Sequence, residues 1–228
     1  MTIHDRVAEV QRRIERAAAS AGRDASDVRL IAVSKTWPPE AIEEAAEAGI
    51  TEFAENKAQE LTHKLASVGR LGTWHFVGAL QTNKVRSVVG RVGLIHSVDR
   101  VEVGEAIARR ADRSGLSQPV LVQVNVAREQ AKHGVDPREA VAFAERIAGL
   151  DGVDVRGLMT LPPFGREPEM SRPWFRDLAG LGVLLADVLP GASELSMGMS
   201  RDFEVAIQEG ATMVRVGEAV FGARSPGR

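Results

Sequence analysis

The sequence has 228 residues, of which 44% are hydrophobic, and this is enough for one full-sized core. Its 29 basic and 31 acidic residues leave a formal net charge of -2, so nucleic acid and anionic membrane surfaces are disfavoured as partners. The lack of cysteine excludes disulfides, thiolate metal ligands and a cysteine nucleophile.

The chain begins with a charged amphipathic segment, which predicts a helix over Ile3–Ala21. This segment is typical of neither a signal peptide nor a membrane span, so a cytoplasmic protein is expected. Short apolar runs then alternate with segments of helical periodicity that have acidic first turns and a glycine near the end. The predicted strands are Val28–Ser34, Ile50–Ala54, Trp74–Gly78, Gly93–Ser97, Val120–Val126, Val153–Leu161, Glu194–Gly198 and Met213–Gly217.

The alternation of strand and helix predicts an α/β fold with a parallel sheet, and eight repeats in this length predict a closed (β/α)8 TIM barrel. A doubly wound open sheet is the alternative. No linker or low-complexity segment divides the chain, so residues 1–228 are expected to form one domain. A monomer is expected as well, and the run LPPFGREPEMSRP predicts a long proline-bearing loop.

Residues with possible chemistry follow the predicted strands at their C-terminal ends, where the active sites of such barrels lie. Lys35 follows the first strand, and Asn56 follows the second. Asn125 is predicted to lie within the fifth strand. Ser200 and Gly217 mark glycine-bearing turns after the last two strands, where a phosphate is commonly held by backbone amides.

Lys35 ends the apolar run LIAVSK, just before a Trp-Pro-Pro turn. An arbitrary lysine is usually a solvated surface residue. At the inner end of a barrel strand, partial burial would lower the pKa of its ammonium and favour the neutral amine that attacks a carbonyl. An amine that faces a phosphate cradle indicates a ligand with both an aldehyde and a phosphate, and pyridoxal 5'-phosphate is such a ligand.

The other candidates have structural as well as functional interpretations. Arg215 is expected either to contact a ligand or to pair with Glu204 or Glu218 inside the barrel. Ser200 is expected to be the N-cap of a helix, a position compatible with phosphate binding. Asn56 and Asn125 also suit hydrogen bonds to loop backbone.

The histidines and the glycine motifs argue against several other classes of site. The five histidines show no paired spacing, so no metal site is predicted, and His75 is interpreted as a core residue. The run RVGEAVFG has the spacing of neither a Walker loop nor a dinucleotide-binding turn. No G-x-S-x-G elbow and no distinct carboxylate pair is present, so no catalytic residue is assigned.

Six motifs in order, AVSKT, FAENKAQE, WHFVGALQTNKV, HSVDR, GLMTLPP and LSMGMSRDFEVAIQEGATMVRVGEAVFGAR, together resemble those of the pyridoxal phosphate homeostasis proteins, the YggS/PROSC family. This family is similar in fold to the N-terminal barrel of alanine racemase. The resemblance implies that Lys35 forms the internal aldimine with pyridoxal phosphate and that Arg215 lies near the pyridine nitrogen. It also places Ser200, Gly217 and the backbone at Glu218 around the phosphate, and Asn56 in the pocket.

The sequence departs from the family pattern at two positions. Ala54 stands where the family usually has glycine, so a backbone angle there is expected to differ slightly. Glu218 stands where many members have a hydroxyl residue, so one donor to the phosphate is missing.

Two functions fit such a protein: cofactor binding and delivery to apo enzymes, or an enzyme acting on amino acids in the manner of a racemase. The chain contains no tyrosine, although alanine racemase-like catalysis uses a tyrosine as the second base. A permanently charged Arg215 at the pyridine nitrogen would also weaken the ring as an electron sink. Both points favour the carrier, and the resemblance implies no established reaction. A sugar-phosphate aldolase with Lys35 as its reactive amine is a third alternative.

Overall fold

Eight parallel strands form a closed barrel in a computed structural model that describes residues 1–69, 71–129, 132–163 and 167–223. The strands are β1 Arg29–Val33, β2 Glu52–Glu55, β3 Thr73–Phe76, β4 Leu94–Val98, β5 Gln118–Val124, β6 Val153–Thr160, β7 Glu194–Ser196 and β8 Met213–Val216. Each strand pairs with the next along the chain, and β8 pairs with β1 in parallel. The predicted barrel is therefore confirmed, and the open sheet is excluded.

Helices follow most of the strands and surround the barrel. They are α1 Ile3–Ser20, α2 Pro39–Glu47, α3 Ala58–Val68, α4 Val101–Asp112, α5 Ala140–Ala148, α6 Arg172–Val188, α7 Phe203–Gln208 and α8 Glu218–Phe221. Between β3 and β4 the connection contains a 3-10 helix, Thr82–Ser87, instead of an α-helix. Within the described parts of the chain, no helix is both long and apolar enough to cross a membrane.

All eight predicted strands exist, and their boundaries differ from the predicted ones by no more than two residues. The strand β2 begins at Glu52 rather than Ile50, because the amide of Ile50 still bonds Ala45 at the end of α2. The strand β5 ends at Val124, so the prediction that Asn125 lies within it is wrong. Sequence periodicity fixes the centre of a buried strand better than its ends, where turn hydrogen bonds compete with the sheet.

The first helix forms where the sequence predicts it, and local side chains explain its start. Thr2 caps the helix by accepting a hydrogen bond from the amide of Asp5, while the Asp5 carboxylate accepts one from the amide of Thr2. Its apolar face is buried, and the helix packs against α7, α8 and α2. The guanidinium of Arg13 lies 4.5 Å from the centre of the Phe203 ring and pairs with Glu204 at 2.6 Å.

Two apolar regions hold the barrel together. The larger one lies between the strands and the surrounding helices, and it buries large side chains such as Phe53, Phe76 and Phe175. The smaller one fills the barrel interior. Its buried members are Ile31, Val33, Ala54, Leu94, Leu121, Met159 and Met213. A packed interior leaves room for a ligand only at the mouths of the barrel.

A bulge in β6 sets the direction of its second half. Val120 pairs with Val155, but Leu121 pairs with Gly157, so Arg156 is passed over in the register. Gly157 has a φ of 149°, and an added Cβ would lie 2.0 Å from the backbone oxygen of Glu194. Only glycine fits this close approach of β6 to β7.

The predicted long loop after β6 is shorter than its sequence suggests. Residues 161–163 are irregular, but Pro168–Ser171 forms a 3-10 helix, and Arg172 already begins α6. Proline at the first turn of a helix costs nothing, because the missing N–H would have no partner there. Residues 164–166 of this segment lie outside the described part of the chain.

Candidate functional site

A cavity of about 540 Å³ opens at the C-terminal mouth of the barrel. Six of the residues singled out from the sequence line it, namely Lys35, Asn56, Ser200, Arg215, Gly217 and Glu218, whereas the Asn125 side chain bonds the loop backbone at Glu129. The C-terminal ends of parallel strands meet at one face of a closed barrel, so residues that are far apart in sequence converge there. The structure thus brings the residues of the predicted cofactor site to one place, without Asn125.

Lys35 reaches this cavity from the turn after β1. The strand ends at Val33, Ser34 is fully buried, and Lys35 itself is half-buried. The next residue, Thr36, has a φ of 70°, in the left-handed region that a β-branched residue rarely adopts. The backbone therefore turns sharply just after the lysine, at the rim of the cavity.

Arg215 projects from β8 and is almost completely buried. Its Nη1 donates to Ser196 Oγ at 2.5 Å, and its Nη2 donates to the carbonyl oxygen of Thr160 at 2.8 Å. Burial lowers the pKa of Arg215 to about 10, against the opposing effect of the Asp202 charge, so the guanidinium stays charged at neutral pH. The alternative pairing with Glu204 is wrong, because Glu204 binds Arg13 on the outside of the barrel.

Ser200 lies between β7 and α7 but does not cap that helix, so the N-cap prediction is wrong. The amide of Asp202 donates to the carbonyl oxygen of Met199 and closes a turn there. The helix α7 therefore begins at Phe203, with Asp202 in the N-cap position. The Ser200 hydroxyl instead accepts hydrogen bonds from the amides of Gly217 and Ala219, each at 3.2 Å. A hydroxyl and two amides from two neighbouring loops thus converge at the cavity wall.

The two departures from the family pattern have simple structural outcomes. Ala54 is fully buried in the barrel interior, and its φ lies outside the left-handed region, so the methyl group causes no backbone strain. Glu218 is exposed at the start of α8, where a carboxylate keeps its hydration. Neither residue closes the cavity.

Several residues that line the cavity escaped the sequence interpretation. They are Gln123, Lys132, His133, Ser171 and Asp202. Gln123 lies in β5 among apolar residues, and a polar residue within a buried strand is the sequence feature that could have indicated a site residue here. Ser171 and Asp202 bond each other at 2.9 Å across two loops, which no sequence spacing indicates.

A chain of polar groups crosses the barrel interior behind the cavity. From Arg215 it runs through Ser196 to His96 Nδ1 at 2.8 Å, and from His96 Nε2 to His75 Nδ1 at 2.9 Å. His75 Nε2 lies 3.0 Å from Glu52 Oε2, and neither atom has a hydrogen-bond partner in the described part of the chain. The interpretation of His75 as a buried core residue is confirmed. It also belongs to a hydrogen-bond network that the sequence does not indicate, because His75 and His96 are 21 positions apart.

This arrangement indicates where the protons lie. Burial, followed by the nearby His75 and Arg215, holds the pKa of His96 well below its usual value, so the ring is neutral. The neutral ring has one N–H, either on Nε2 toward His75 or on Nδ1 toward Ser196, and in the Nε2 tautomer Nδ1 accepts from the Ser196 hydroxyl. Ser196 then accepts from Arg215, and every member of this part of the network is satisfied.

No group of three or more metal-ligating side chains occurs among the residues that the structure describes. The polar groups that line the cavity include the amine of Lys35, the guanidinium of Arg215 and the hydroxyl of Ser200 with the amides bonded to it. Such a set suits an organic anion with an electrophilic carbon.

Comparison with known proteins relates the chain to one family over nearly its whole length. The family profile described as "Alanine racemase, N-terminal domain" matches residues 6–225. A curated protein of Aquifex aeolicus (strain VF5), named "Pyridoxal phosphate homeostasis protein", is 43% identical over 226 residues. The match covers 98% of this chain and 99% of that protein.

Two solved structures are similar as well. An unknown protein from Bifidobacterium adolescentis is 38% identical with a TM-score of 0.90, and the match covers 96% of this chain and 94% of the other. PipY of Synechococcus elongatus, solved with pyridoxal phosphate bound, is 37% identical with a TM-score of 0.80. That match covers 92% of this chain and all of PipY.

The neutral state of His96 predicts a loss of stability in mild acid. Below pH 6.5 the unfolded chain protonates this histidine and the folded protein does not, so the free energy of unfolding falls as the pH falls. Acidification from pH 7.5 to 5.5 should remove stability on the order of 1 kcal/mol through this residue. Urea unfolding at pH 7.5 and 5.5 should therefore show a smaller loss on acidification in His96→Asn than in the unsubstituted protein.

The matched control is His63→Asn, because His63 is exposed on α3 and lies outside the buried network of His96. This control should lose as much stability on acidification as the unsubstituted protein. An equal loss in His96→Asn would contradict the assignment of a neutral buried ring.

Proposed function

Because this chain belongs to the family of the pyridoxal phosphate homeostasis proteins, we propose that it binds pyridoxal 5'-phosphate covalently through Lys35 and serves the intracellular homeostasis and delivery of that cofactor. One observation carries the proposal: Lys35, Arg215 and the cradle around Ser200 open into the same cavity. A ligand with an aldehyde, a ring nitrogen and a phosphate matches these three groups in chemical type.

Lys35 supplies the reactive amine in this proposal. When bound, the cofactor offers an aldehyde carbon to which the neutral amine nitrogen bonds, and the aldehyde oxygen leaves as water with the two amine hydrogens. Val33, buried next to the lysine turn, and the half-buried position of Lys35 limit water around the amine. Partial desolvation favours the neutral form that this condensation needs.

Arg215 supports the proposal through its burial without a counterion. No carboxylate lies within ion-pair distance of Arg215 in the described part of the chain, and its two bonds to Ser196 and Thr160 leave further N–H groups unused. A buried cation that has no direct ion pair, and only the more distant charge of Asp202 to oppose its desolvation, is stabilised by an acceptor in the cavity. We infer that a ring nitrogen takes this place and stays unprotonated, because Arg215 can only donate.

The Ser200 cradle is proposed to hold the phosphate. The amides of Gly217 and Ala219 donate to the Ser200 hydroxyl oxygen, which leaves the Ser200 O–H to donate to a phosphate oxygen, and the two amides would donate to the phosphate only in place of Ser200. Asn56 lines the cavity from the loop after β2, and the backbone at Glu218 is proposed to face the phosphate from the start of α8 while the exposed carboxylate stays in water. Anion binding by such converging amides is common where loops meet at barrel mouths.

A carrier role fits the chain better than catalysis. The sequence contains no tyrosine to act as a second base for racemisation, and Arg215 would keep the ring a poor electron sink. The curated relative is named for homeostasis rather than for a reaction. Apo forms of enzymes that use pyridoxal phosphate are the proposed recipients. The racemase-like enzyme is the alternative, and the monomeric state and cytoplasmic location stay predictions.

The covalent link predicts a chromophore that depends on Lys35. Protein incubated with pyridoxal phosphate should show the absorption band of a bound pyridoxal group, and borohydride should fix the cofactor's mass on the peptide that contains Lys35. Lys35→Ala should lose both signals while keeping its melting temperature within a few degrees, because a half-buried side chain contributes little to the core.

Lys57→Ala is the matched control, because Lys57 is an exposed lysine that lies just before α3. It should keep the chromophore and the label. Borohydride label found only on Lys57, Lys84 or Lys132 would exclude Lys35 as the reactive amine.

The phosphate cradle predicts strong discrimination by the phosphate group. Pyridoxal should bind much more weakly than pyridoxal phosphate, and Ser200→Ala should weaken pyridoxal phosphate binding by about 1 to 3 kcal/mol, the usual range for a lost bond to a charged group. Gly217→Val should weaken pyridoxal phosphate binding further, since a Cβ added at this position would lie only 3.2 Å from the Val33 carbonyl oxygen. Spectroscopic titration gives the dissociation constants.

Ser67→Ala on the exposed face of α3 serves as the control for this titration and should bind like the unsubstituted protein. Equal affinities for pyridoxal and its phosphate would place the phosphate elsewhere and refute the cradle.

The carrier role predicts that the cofactor-loaded protein does not turn over amino acids. Incubation with L-alanine and other common L-amino acids should give no racemisation above the rate of free pyridoxal phosphate, because no tyrosine is available as a second base. Chiral chromatography of the amino acids measures this rate, with Lys35→Ala as the blank. Sustained turnover by the unsubstituted protein that Lys35→Ala abolishes would favour the enzyme instead.

A further inference from the structure

A cluster of three charged side chains lies beneath the turn that carries Lys35. Lys64 of α3 is only 2% exposed, and Glu55 at the end of β2 is fully buried. The Lys64 ammonium donates to the carboxylate of Glu55, to Glu60 Oε1 at 3.1 Å and to the carbonyl oxygen of Ser34 at 2.6 Å. All three of its donors are therefore used, and one of them holds the main chain.

The cluster binds both peptide groups that flank Lys35. The Ser34 carbonyl belongs to the peptide group before Lys35, and it accepts from Lys64. The Thr36 amide belongs to the peptide group after Lys35, and it donates to the Glu60 carboxylate. The two flanking peptide planes determine the direction of the bond from Cα to Cβ. Anchoring both planes therefore fixes the direction in which the lysine side chain leaves the backbone.

The turn needs such an anchor because its conformation is unfavourable. The φ of 70° at Thr36 costs about 1 to 2 kcal/mol for a residue with a Cβ. Strain of this kind persists only where surrounding contacts hold it. The hydrogen bond to the Glu60 carboxylate is charge-assisted, which makes it one of the stronger kinds available for the purpose.

The Glu55 carboxylate extends the same control to a second wall of the cavity. Its Oε1 accepts from the hydroxyl of Ser34 at 2.8 Å, and its Oε2 accepts from the amide of Asn56 at 3.3 Å. One buried carboxylate thus contacts the residue before Lys35 and the backbone of Asn56. The placement of Lys35 relative to Asn56 in the cavity therefore depends on the Glu55 carboxylate.

Stability alone gives a poor account of this cluster. Burial raises the pKa of Glu55 above its usual value despite the opposing effect of Lys64, which means that desolvation of the carboxylate outweighs its stabilising contacts. Replacing a buried ion pair by apolar groups of similar size is often neutral or stabilising. Lys64 and Glu55 therefore contribute less to the folding free energy than their contacts suggest.

From these contacts we propose that Glu55, Glu60 and Lys64 are positioning residues that aim Lys35 into the cavity. The inference rests on the proposed function, because the consequence of correct aim is fast condensation of the amine with the aldehyde of pyridoxal phosphate. A misplacement of about 1 Å between reacting groups slows a reaction by up to roughly a hundredfold. The cluster acts on the rate of this condensation and not on the affinity of the Ser200 cradle for the phosphate.

The double variant Glu55→Gln/Lys64→Met removes both charges together, so no lone buried charge remains, and Gln still accepts from Ser34. The apoprotein should form the pyridoxal chromophore about ten- to a hundredfold more slowly in stopped-flow absorbance. Its melting temperature should change by only a few degrees. Its affinity for 4-deoxypyridoxine phosphate, which has no aldehyde, should be unchanged because the cradle is intact.

The matched control is Glu105→Gln/Arg109→Met, which removes an exposed ion pair from the surface of α4 by the same two kinds of substitution. It should form the chromophore at the rate of the unsubstituted protein. A second comparison uses Glu60, which is partly exposed and easier to replace. Glu60→Ala should slow chromophore formation, whereas Glu60→Gln, which keeps an acceptor for the Thr36 amide, should largely restore it.

Chromophore formation at the unsubstituted rate in Glu60→Ala, or in a folded double variant, would overturn the positioning role and leave the proposed function standing. Failure of the unsubstituted protein to form a chromophore, or labelling away from Lys35, would instead overturn the proposed function and this inference with it. A parallel loss of affinity for 4-deoxypyridoxine phosphate would also overturn it, because the cluster would then act on binding.

Discussion

The parallel pairing of β8 with β1 is the interaction on which the site depends. In this register Ile31 lies opposite Arg215 and Ala32 opposite Val216, so the first and last strands end side by side. Lys35 then follows one strand and Gly217 the other, at the same mouth of the barrel. An open sheet would leave these two loops at opposite edges, and the amine and the Ser200 cradle would not share a cavity.

Closure also creates a narrow interior that must be filled, and the protein fills it in two ways. Apolar side chains such as Ile31, Leu121 and Met213 pack against one another, while His75 and His96 occupy the remaining space as hydrogen-bonded groups. A buried polar group is tolerated only when its donors and acceptors have partners. The charge of Arg215 is thereby held at the cavity through neutral groups rather than through a carboxylate that would compete with a ligand.

The two ends of the proposed cofactor site are supported in different ways. Arg215 is held from inside the barrel by Ser196, whereas Lys35 is held from the helical layer by Lys64 and Glu60. Each support uses a charged group that contributes little to stability when buried. Rigid elements on both sides keep the geometry of the cavity independent of its loops, which suits a protein that must bind and release a reactive aldehyde.

The sequence by itself determined the barrel, its eight strands and the six cavity residues, because strand periodicity, glycine turns and family motifs are local properties that survive without tertiary contacts. It did not reveal that Asp202 rather than Ser200 begins α7, since a turn on Met199 decides that boundary. Nor could it show that His96 meets Ser196 or that Lys64 reaches Ser34, because those contacts join residues 100 and 30 positions apart. Only closure of the barrel brings such groups within hydrogen-bonding distance, and burial then decides their charge.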